Sequence, residues 1–500
     1  MSFVPETPLT SRRTLLGASA ALASALVAGR VVANEGHDHG ATPAADHGDH
    51  AAAPAATPAP AAVDASAFGP DLVEPEVRAT VDGVLETSLT AAFGPVMVNG
   101  EKMVSRTFEG SYPAPTLRMK PGETLKVRLN NQLDEITNLH THGFHVSPGG
   151  NSDNVFVEIK PGTSFDFEFN LPADHMPGTY WYHPHVHGST YEHVNGGMAG
   201  MIIVEGGLDE LPGVAGLTER LLILQSTQFD ENGVVVPVDD QTTKQQLRTI
   251  NGQVNPTIRI RPGETQRWRL ANMTSSNFCL LALEGHHLHQ ISADGNAMSE
   301  RREIERLFIG PGERADILVQ AGKAGAYEFR QLLWGIGGQA QPDVVLATMV
   351  VEGEPVDPAP LPTTLLPFED LREASIDRTR ELVFDVQSGE HGPIFLIDGQ
   401  TFDHNRVDQT ITLGATEEWV LRNDSTTWHP FHIHINDFQV VAVNGEPVEV
   451  YGWEDTIPIP PKESITIRHR FPDFTGKYVY HCHILFHEDH GMMGIVEVVE

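Results

Sequence analysis

The chain has 500 residues, too many for one ordinary domain and enough for two to four. Its 33 Lys and Arg against 67 Asp and Glu give a formal net charge of −34, which repels nucleic acid and anionic membranes and argues against both as partners. With 46 glycines and 35 prolines spread along it, the chain has the turn supply of an all-β protein.

At the N-terminus, Ser11-Arg12-Arg13-Thr14-Leu15-Leu16 is a twin-arginine pattern, followed by an Ala/Leu stretch to Ala28 and the small residues Val31-Val32-Ala33. Residues 1–33 are therefore expected to be an export signal cleaved after Ala33, sending the protein to the periplasm or beyond by the twin-arginine route. The apolar run is too short to span a bilayer, and no later segment is long and apolar enough to do so. Residues 34–75 are expected to form a disordered linker. Up to about residue 68 they offer Ala, Pro and four histidines, His37, His39, His47 and His50, and nothing that could build a core.

Beyond the linker a pattern recurs. Pro115-Thr116-Leu117-Arg118-Met119-Lys120-Pro121-Gly122-Glu123-Thr124 returns as Pro256-Thr257-Ile258-Arg259-Ile260-Arg261-Pro262-Gly263-Glu264-Thr265, and more weakly as Gln409-Thr410-Ile411-Thr412-Leu413-Gly414-Ala415-Thr416. The glycines lie 141 and 151 residues apart, a domain-sized repeat. Alternating apolar and polar residues around each glycine predict two half-buried strands per copy. The chain is thus expected to be all-β, with three consecutive β-sandwich domains at 76–208, 209–355 and 356–500 and no helix of any length.

A second repeat links the first and third domains alone. Gly197-Met198-Ala199-Gly200-Met201 parallels Gly491-Met492-Met493-Gly494-Ile495, each after a His-x-His element. The middle copy lacks such an element and reads as a spacer.

Seven His-x-His pairs occur, counting overlaps, where random placement of 25 histidines would give about one. Four stand out: His140-Thr141-His142, His183-Pro184-His185, His432-Ile433-His434 and His481-Cys482-His483. On a strand, residues two apart share a face, so each pair can present two imidazoles to one cluster. Eight imidazoles suit copper, divided as three plus three around a coupled pair and two on a third ion. Cys482 points to the opposite face, where His429, His487 and Met492 complete the two His, one Cys and weak Met of an electron-transferring copper site. The cysteine would then join two sites through its own backbone. Zinc needs only three or four ligands and a Rieske cluster needs two cysteines, so neither fits. The other cysteine, Cys279, in Phe278-Cys279-Leu280-Leu281, reads as a buried small hydrophobe.

The elements His140-Thr-His142-Gly, Trp181-Tyr-His183-Pro-His185, His429-Pro-Phe-His432-Ile-His434 and His481-Cys-His483-Ile-Leu-Phe-His487-Glu-Asp-His-Gly-Met492 resemble the four signatures of multicopper oxidases, in the laccase-like group of three cupredoxin domains. The likeness runs from about residue 76 to 500 and implies cupredoxin-like Greek-key sandwiches. It implies four copper ions, one type 1, one type 2 and two type 3. His429, Cys482, His487 and Met492 would be type 1 ligands, and His140 and His432 type 2 ligands. His142, His183, His185, His434, His481 and His483 would be type 3 ligands. Thr141 stands where a Trp is usual, and Ile435-Asn436 where Gly-His is frequent. The extra histidines His145, His187 and His193 are read as supporting or surface groups.

Reduction of dioxygen to water consumes protons, so carboxylates beside the cluster are expected. Asp153 follows the first motif and Glu488 follows His487, both at positions where the family keeps an acid. The resemblance implies an oxidoreductase that takes electrons from a small-molecule or metal-ion reductant and passes them to dioxygen. Phenols and amines rank first as reductants. Cuprous or ferrous ion ranks second, because the twelve methionines are scattered and form no methionine-rich insertion. A copper nitrite reductase typically has two such domains and fewer histidines. A copper-binding protein without catalysis would need no cysteine joining two sites.

Overall fold

The structure, a computed structural model, describes residues 68–500 apart from 238–244, 336 and 391. The twin-arginine segment and the linker histidines lie outside the described residues.

Each repeat turns on a glycine in the left-handed region: Gly122 at φ 80°, Gly263 at 79° and Gly414 at 85°. Glycine takes that conformation without steric cost, which is why it recurs there. The strand before each turn, Thr116–Met119, Thr257–Ile260 or Gln409–Thr412, runs parallel to Gly200–Val204, Val344–Val351 or Met493–Val499 respectively. The strand after it, Thr124–Asn131, Thr265–Asn272 or Thr416–Asn423, enters a different sheet, parallel to Val84–Val98, Thr218–Thr227 or Arg378–Gly389. The turn therefore carries the chain from one sheet to the other. Among the described residues three pairs of sheets result, of four and five, six and five, and six and five strands. Leu89, Leu125 and Phe167 of one sheet share a core with Leu117, Tyr180 and Ile202 of the other in the first pair. Trp268 and Ile317 do the same with Ile258 and Phe329 in the second. The α-helices among the described residues are short, Thr190–Gly196 and Leu485–Asp489. No helix there is long and apolar enough to cross a membrane.

Two expectations need correction. The strand Thr265–Asn272 is not half-buried: every residue in it is buried, whereas its counterpart Thr124–Asn131 alternates. Its outward face is covered by the first sandwich and the segment after it. Arg269 donates to Thr179 at 3.2 Å, to Asp316 at 3.1 Å and to Asp209 at 2.7 Å, and Arg267 also pairs with Asp209 and Asp316. Paired arginines can occupy outward positions of a buried strand because their guanidinium groups are met by carboxylates and a hydroxyl. The linker, expected to run to 75, ends earlier. Leu72 donates to Thr257 O at 2.9 Å, Asp71 accepts from Arg259 at 2.8 Å, and Leu72 packs on the second core. Thr257–Ile260 lies at the edge of its sheet, and this segment covers that edge.

Candidate metal centre

In the first sandwich, His140–His142 lies antiparallel to Gly178–His183, with His140 opposite His183. In the third, His429–Ile433 lies antiparallel to Gly476–Cys482, with His432 opposite His481 and Phe431 opposite Cys482. Directly opposed residues share a face, and alternation sorts the rest. His432 and His481 fall on one face, and His429 and Cys482 on the other.

The eight histidines of the four pairs are buried. Their contacts join the first and third sandwiches: His140 stacks on His434 and His142 on His432, each at a centroid distance of 3.8 Å. His185 Nε2 lies 3.0 Å from His481 Nε2. The rings divide into two sets of three. The ligand atoms of His185, His434 and His481 lie within 4.8 Å of one another. His142, His183 and His483 have centroids 5.0 to 5.9 Å apart. His140 and His432 remain, 6.0 Å apart. Trp181 stacks on His183 at 4.2 Å and contacts His142 and His483, closing one side.

The rings of this centre each hold one nitrogen in a hydrogen bond or leave it unmatched, and the unmatched ones decide whether metal fits. His140 Nδ1 bonds Asp153, His183 Nδ1 donates to Pro184 O, and His432 Nδ1 donates to Asp455 O at 2.9 Å. Each of these rings has a buried Nε2 with no partner, and so do His434 and His483. His142 is reversed: its Nε2 bonds Asp455 Oδ1 at 3.1 Å, and its Nδ1 is the orphan. Buried polar atoms are almost always satisfied, so a converging group of orphaned nitrogens fits bound cations. Burial, and then the neighbouring rings, hold His140, His142 and His434 well below the ordinary histidine range, and burial brings His183 to about 3. Burial thus favours the neutral form of these four rings, which keeps a lone pair free to ligate.

On the opposite face, Cys482 Sγ lies 3.5 Å from His429 Nδ1 and 3.5 Å from His487 Nδ1, and the two nitrogens are 3.2 Å apart. Ser425 Oγ, 2.8 Å from His429 Nε2, turns the other nitrogen toward the sulfur. His487 comes from the short helix Leu485–Asp489 and stacks on Phe395 at 4.2 Å. Met492 is fully buried, its amide bonded to His487 O at 2.9 Å and its carbonyl to Cys482 N at 3.1 Å. Cys279 is a free, buried cysteine.

Both expected acids reach the histidines. Asp153, pushed up to about 7 by burial against two bonds from Thr141, lies 3.0 Å from His140 Nδ1. Thr141, the departure from the common Trp, thus holds this carboxylate. Glu488 is fully buried, 3.2 Å from His481 Nδ1 and 3.5 Å from His185 Nδ1. Burial, and then Asp489, push it well above the ordinary carboxylate range.

The sequence missed a third support. Asp455, from the third sandwich, accepts from His142 of the first and from Arg314 of the second, at 2.8 Å to Oδ1 and 2.6 Å to Oδ2. Burial alone would raise Asp455; Arg314 and His432 hold it below the usual range. Asp294 of the second sandwich takes the amides of Arg314, Asp455 and Thr456 at 2.9, 3.2 and 3.0 Å. The middle copy is therefore more than a spacer. The one sequence signal was Gly143, next to His142: at φ 86°, a Cβ there would run into Arg314 and stand 2.6 Å from Asp455 Oδ2.

The extra histidines differ. His145 bonds Ile435 O at 2.5 Å and Asp473 at 2.9 Å, and His193 is buried 3.3 Å from Glu135. His187 sits apart from both clusters, beside Phe402 at 4.7 Å.

Family profiles described as Multicopper oxidase match residues 93–208, 222–353 and 375–500. The chain belongs to the multicopper oxidase family, oxidoreductases that use copper and take dioxygen as acceptor. It is 29% identical to the multicopper oxidase mco of Staphylococcus haemolyticus over 78% of this chain and 83% of that relative. Among solved structures, a multicopper oxidase of Campylobacter jejuni, described as a metallo-oxidase, superposes with a TM-score of 0.77 at 27% identity, covering 87% of this chain and 96% of that one. A bacterial laccase-like multicopper oxidase of Ochrobactrum sp., described as active towards lignin model compounds, gives 0.73 at 27% identity, covering 86% and 100%.

Proposed function

We propose that the protein couples one-electron oxidation of a phenol or aromatic amine at the His429, Cys482, His487 and Met492 set to four-electron reduction of dioxygen to water at the eight-histidine centre. One observation carries this reading. Cys482 Sγ meets His429 and His487 on one face, while the adjoining His481 meets His185 at 3.0 Å on the other. A single peptide segment thereby joins an electron-accepting site to a multi-ion site. Copper at these positions supplies one-electron steps at the first and joint multi-electron reduction at the second. In this reading one type 1 ion uses the cysteine set, a type 2 ion uses His140 and His432, and two type 3 ions use the other six histidines.

The protein's own part is to exclude water, orient the rings and hold protons. Asp153 and Glu488, both buried and raised, are the proton-holding groups. Glu488→Gln is expected to slow oxygen-dependent turnover about a hundredfold while the blue colour stays, because the amide keeps the shape and loses the proton. Stopped-flow reoxidation by oxygen reads this directly, and unchanged reoxidation removes the assignment.

Half-buried Trp428, which precedes His429 and packs with Phe278, Phe308 and Trp334, gives the neighbourhood of His429 an aromatic character that suits phenols. A second reading, oxidation of a metal ion, draws support from the acidic surface and from the relative described as a metallo-oxidase. Export by the twin-arginine route, with residues 1–33 removed, and domain limits at 76–208, 209–355 and 356–500 complete the proposal. Its test is oxygen uptake by the copper-loaded protein, with a substituted phenol and with cuprous ion. No uptake with either, from a fully loaded blue sample, defeats the oxidase reading.

A further inference from the structure

The residues around His187 carry an inference that rests on the oxidase reading above and gives its metal-ion reductant a site of its own. His187 Nδ1 is buried with no hydrogen-bond partner. Its ring stands 6.5 Å from that of His404, nearly perpendicular at 81°. Phe402 flanks both, at 4.7 Å from His187 and 5.0 Å from His404. An unmatched buried nitrogen keeps a lone pair for a cation, and here a second imidazole stands near enough to share one. Two imidazoles sharing one ion on opposite sides, with bonds of about 2 Å, hold their centroids roughly 6 Å apart. That spacing matches the pair, and a monovalent coinage-metal ion accepts two nitrogen ligands in a line. The apolar Phe402 face limits hydration on one side. His404 is exposed, so an ion can enter and leave.

The pair is fastened to the turn that carries two of the proposed type 1 ligands. Asp489 accepts from Gly188 N at 2.7 Å and from Tyr191 N at 2.8 Å, holding the loop next to His187. Phe402 N donates to Gly491 O at 3.0 Å, holding the segment that leads to His404. His487 and Met492 lie at either end of that turn. The net charge of −34 draws cations toward the surface.

We propose that His187 and His404 form a surface site that takes a cuprous ion as reductant, beside the turn bearing His487 and Met492. Each bound cuprous ion gives up one electron and leaves as cupric ion. Four such electrons, with four protons, convert one dioxygen to two waters.

The test uses the full copper-loaded chain, with silver(I) as a redox-silent probe of the cuprous ion. Crystals soaked in silver are expected to show an anomalous peak between the two rings, absent in His404→Ala, whose exposed position leaves the fold intact. In His187→Ala and His404→Ala, kcat/KM for cuprous ion relative to that for a substituted phenol is expected to fall at least about tenfold, mainly through KM. A silver peak with an unchanged ratio overturns the substrate role, and no peak between the rings overturns the site. Should the parent take up no oxygen with phenol or cuprous ion, the oxidase reading fails, and the silver peak alone still decides whether the site exists.

Discussion

Replacing Cys482 by serine is expected to abolish the strong visible absorption of the copper-loaded protein and to drop oxidation of every reductant to background. Serine keeps the size of the side chain and its fully buried setting, so the sandwich has no reason to unfold. What it removes is the soft sulfur that lies 3.5 Å from both His429 Nδ1 and His487 Nδ1. A hydroxyl is a poor ligand for the ion this donor set selects, so copper content should fall from about four to about three per chain. The eight-histidine centre sits on the other face of the strand and should keep its ions. Metal analysis, the visible spectrum and an oxygen electrode together read this outcome. A serine variant that still turns over at more than about a tenth of the parent rate would mean that electrons enter elsewhere.

The fold was legible in the sequence wherever local chemistry decides it. The Pro-Gly turns could be read because a left-handed residue is needed at Gly122, Gly263 and Gly414, and glycine supplies it. The histidine pairs could be read because a strand puts alternate residues on one face, so spacing alone predicts which rings converge. The faces of Cys482 and His481 followed from the same rule, and the opposition of Phe431 to Cys482 agrees with it. What stayed hidden depends on contacts between sandwiches. Thr265–Asn272 alternates in sequence like its counterparts, yet its polar positions are buried under the first sandwich, where Arg267 and Arg269 find carboxylates far away in the chain. Asp455 lies between Glu454 and Thr456 with no periodic or motif signal, and its partners His142 and Arg314 are remote in sequence. His404 likewise gained meaning from the nearness of His187, which no spacing foretells.

Arg314→Met should empty the eight-histidine centre while sparing the site at Cys482, although Arg314 belongs to the sandwich that bears none of the expected ligands. Its guanidinium fills both oxygens of Asp455, at 2.8 and 2.6 Å, in a setting where both side chains are at most 1% exposed. Removing one partner of such a buried pair costs about 3–5 kcal/mol, since the remaining charge is left without compensation. The melting temperature should therefore drop, but the functional signature is more specific. Asp455 Oδ1 accepts from His142 Nε2 at 3.1 Å, which puts the ring proton on Nε2 and leaves Nδ1 as the free, buried lone pair. An unpaired Asp455 turns away or takes up a proton, and then His142 no longer has its tautomer fixed. The carbonyl of the same residue holds His432 at 2.9 Å, so two ring orientations are lost together. Losing such a support typically weakens metal binding about 10–100-fold. Asp455→Asn should act on the same ring while it keeps the shape and the amide bond to Asp294, at a comparable cost in stability because buried Arg314 loses its carboxylate. The two variants are expected to keep the blue absorption yet lose copper from the eight-histidine centre, read by metal analysis and by paramagnetic resonance. Full copper content in both would return the middle sandwich to the passive role that its sequence suggests. Depletion confined to the eight-histidine centre would instead mean that all three sandwiches build it, the first and third with ligands and the second with the charge that orients them.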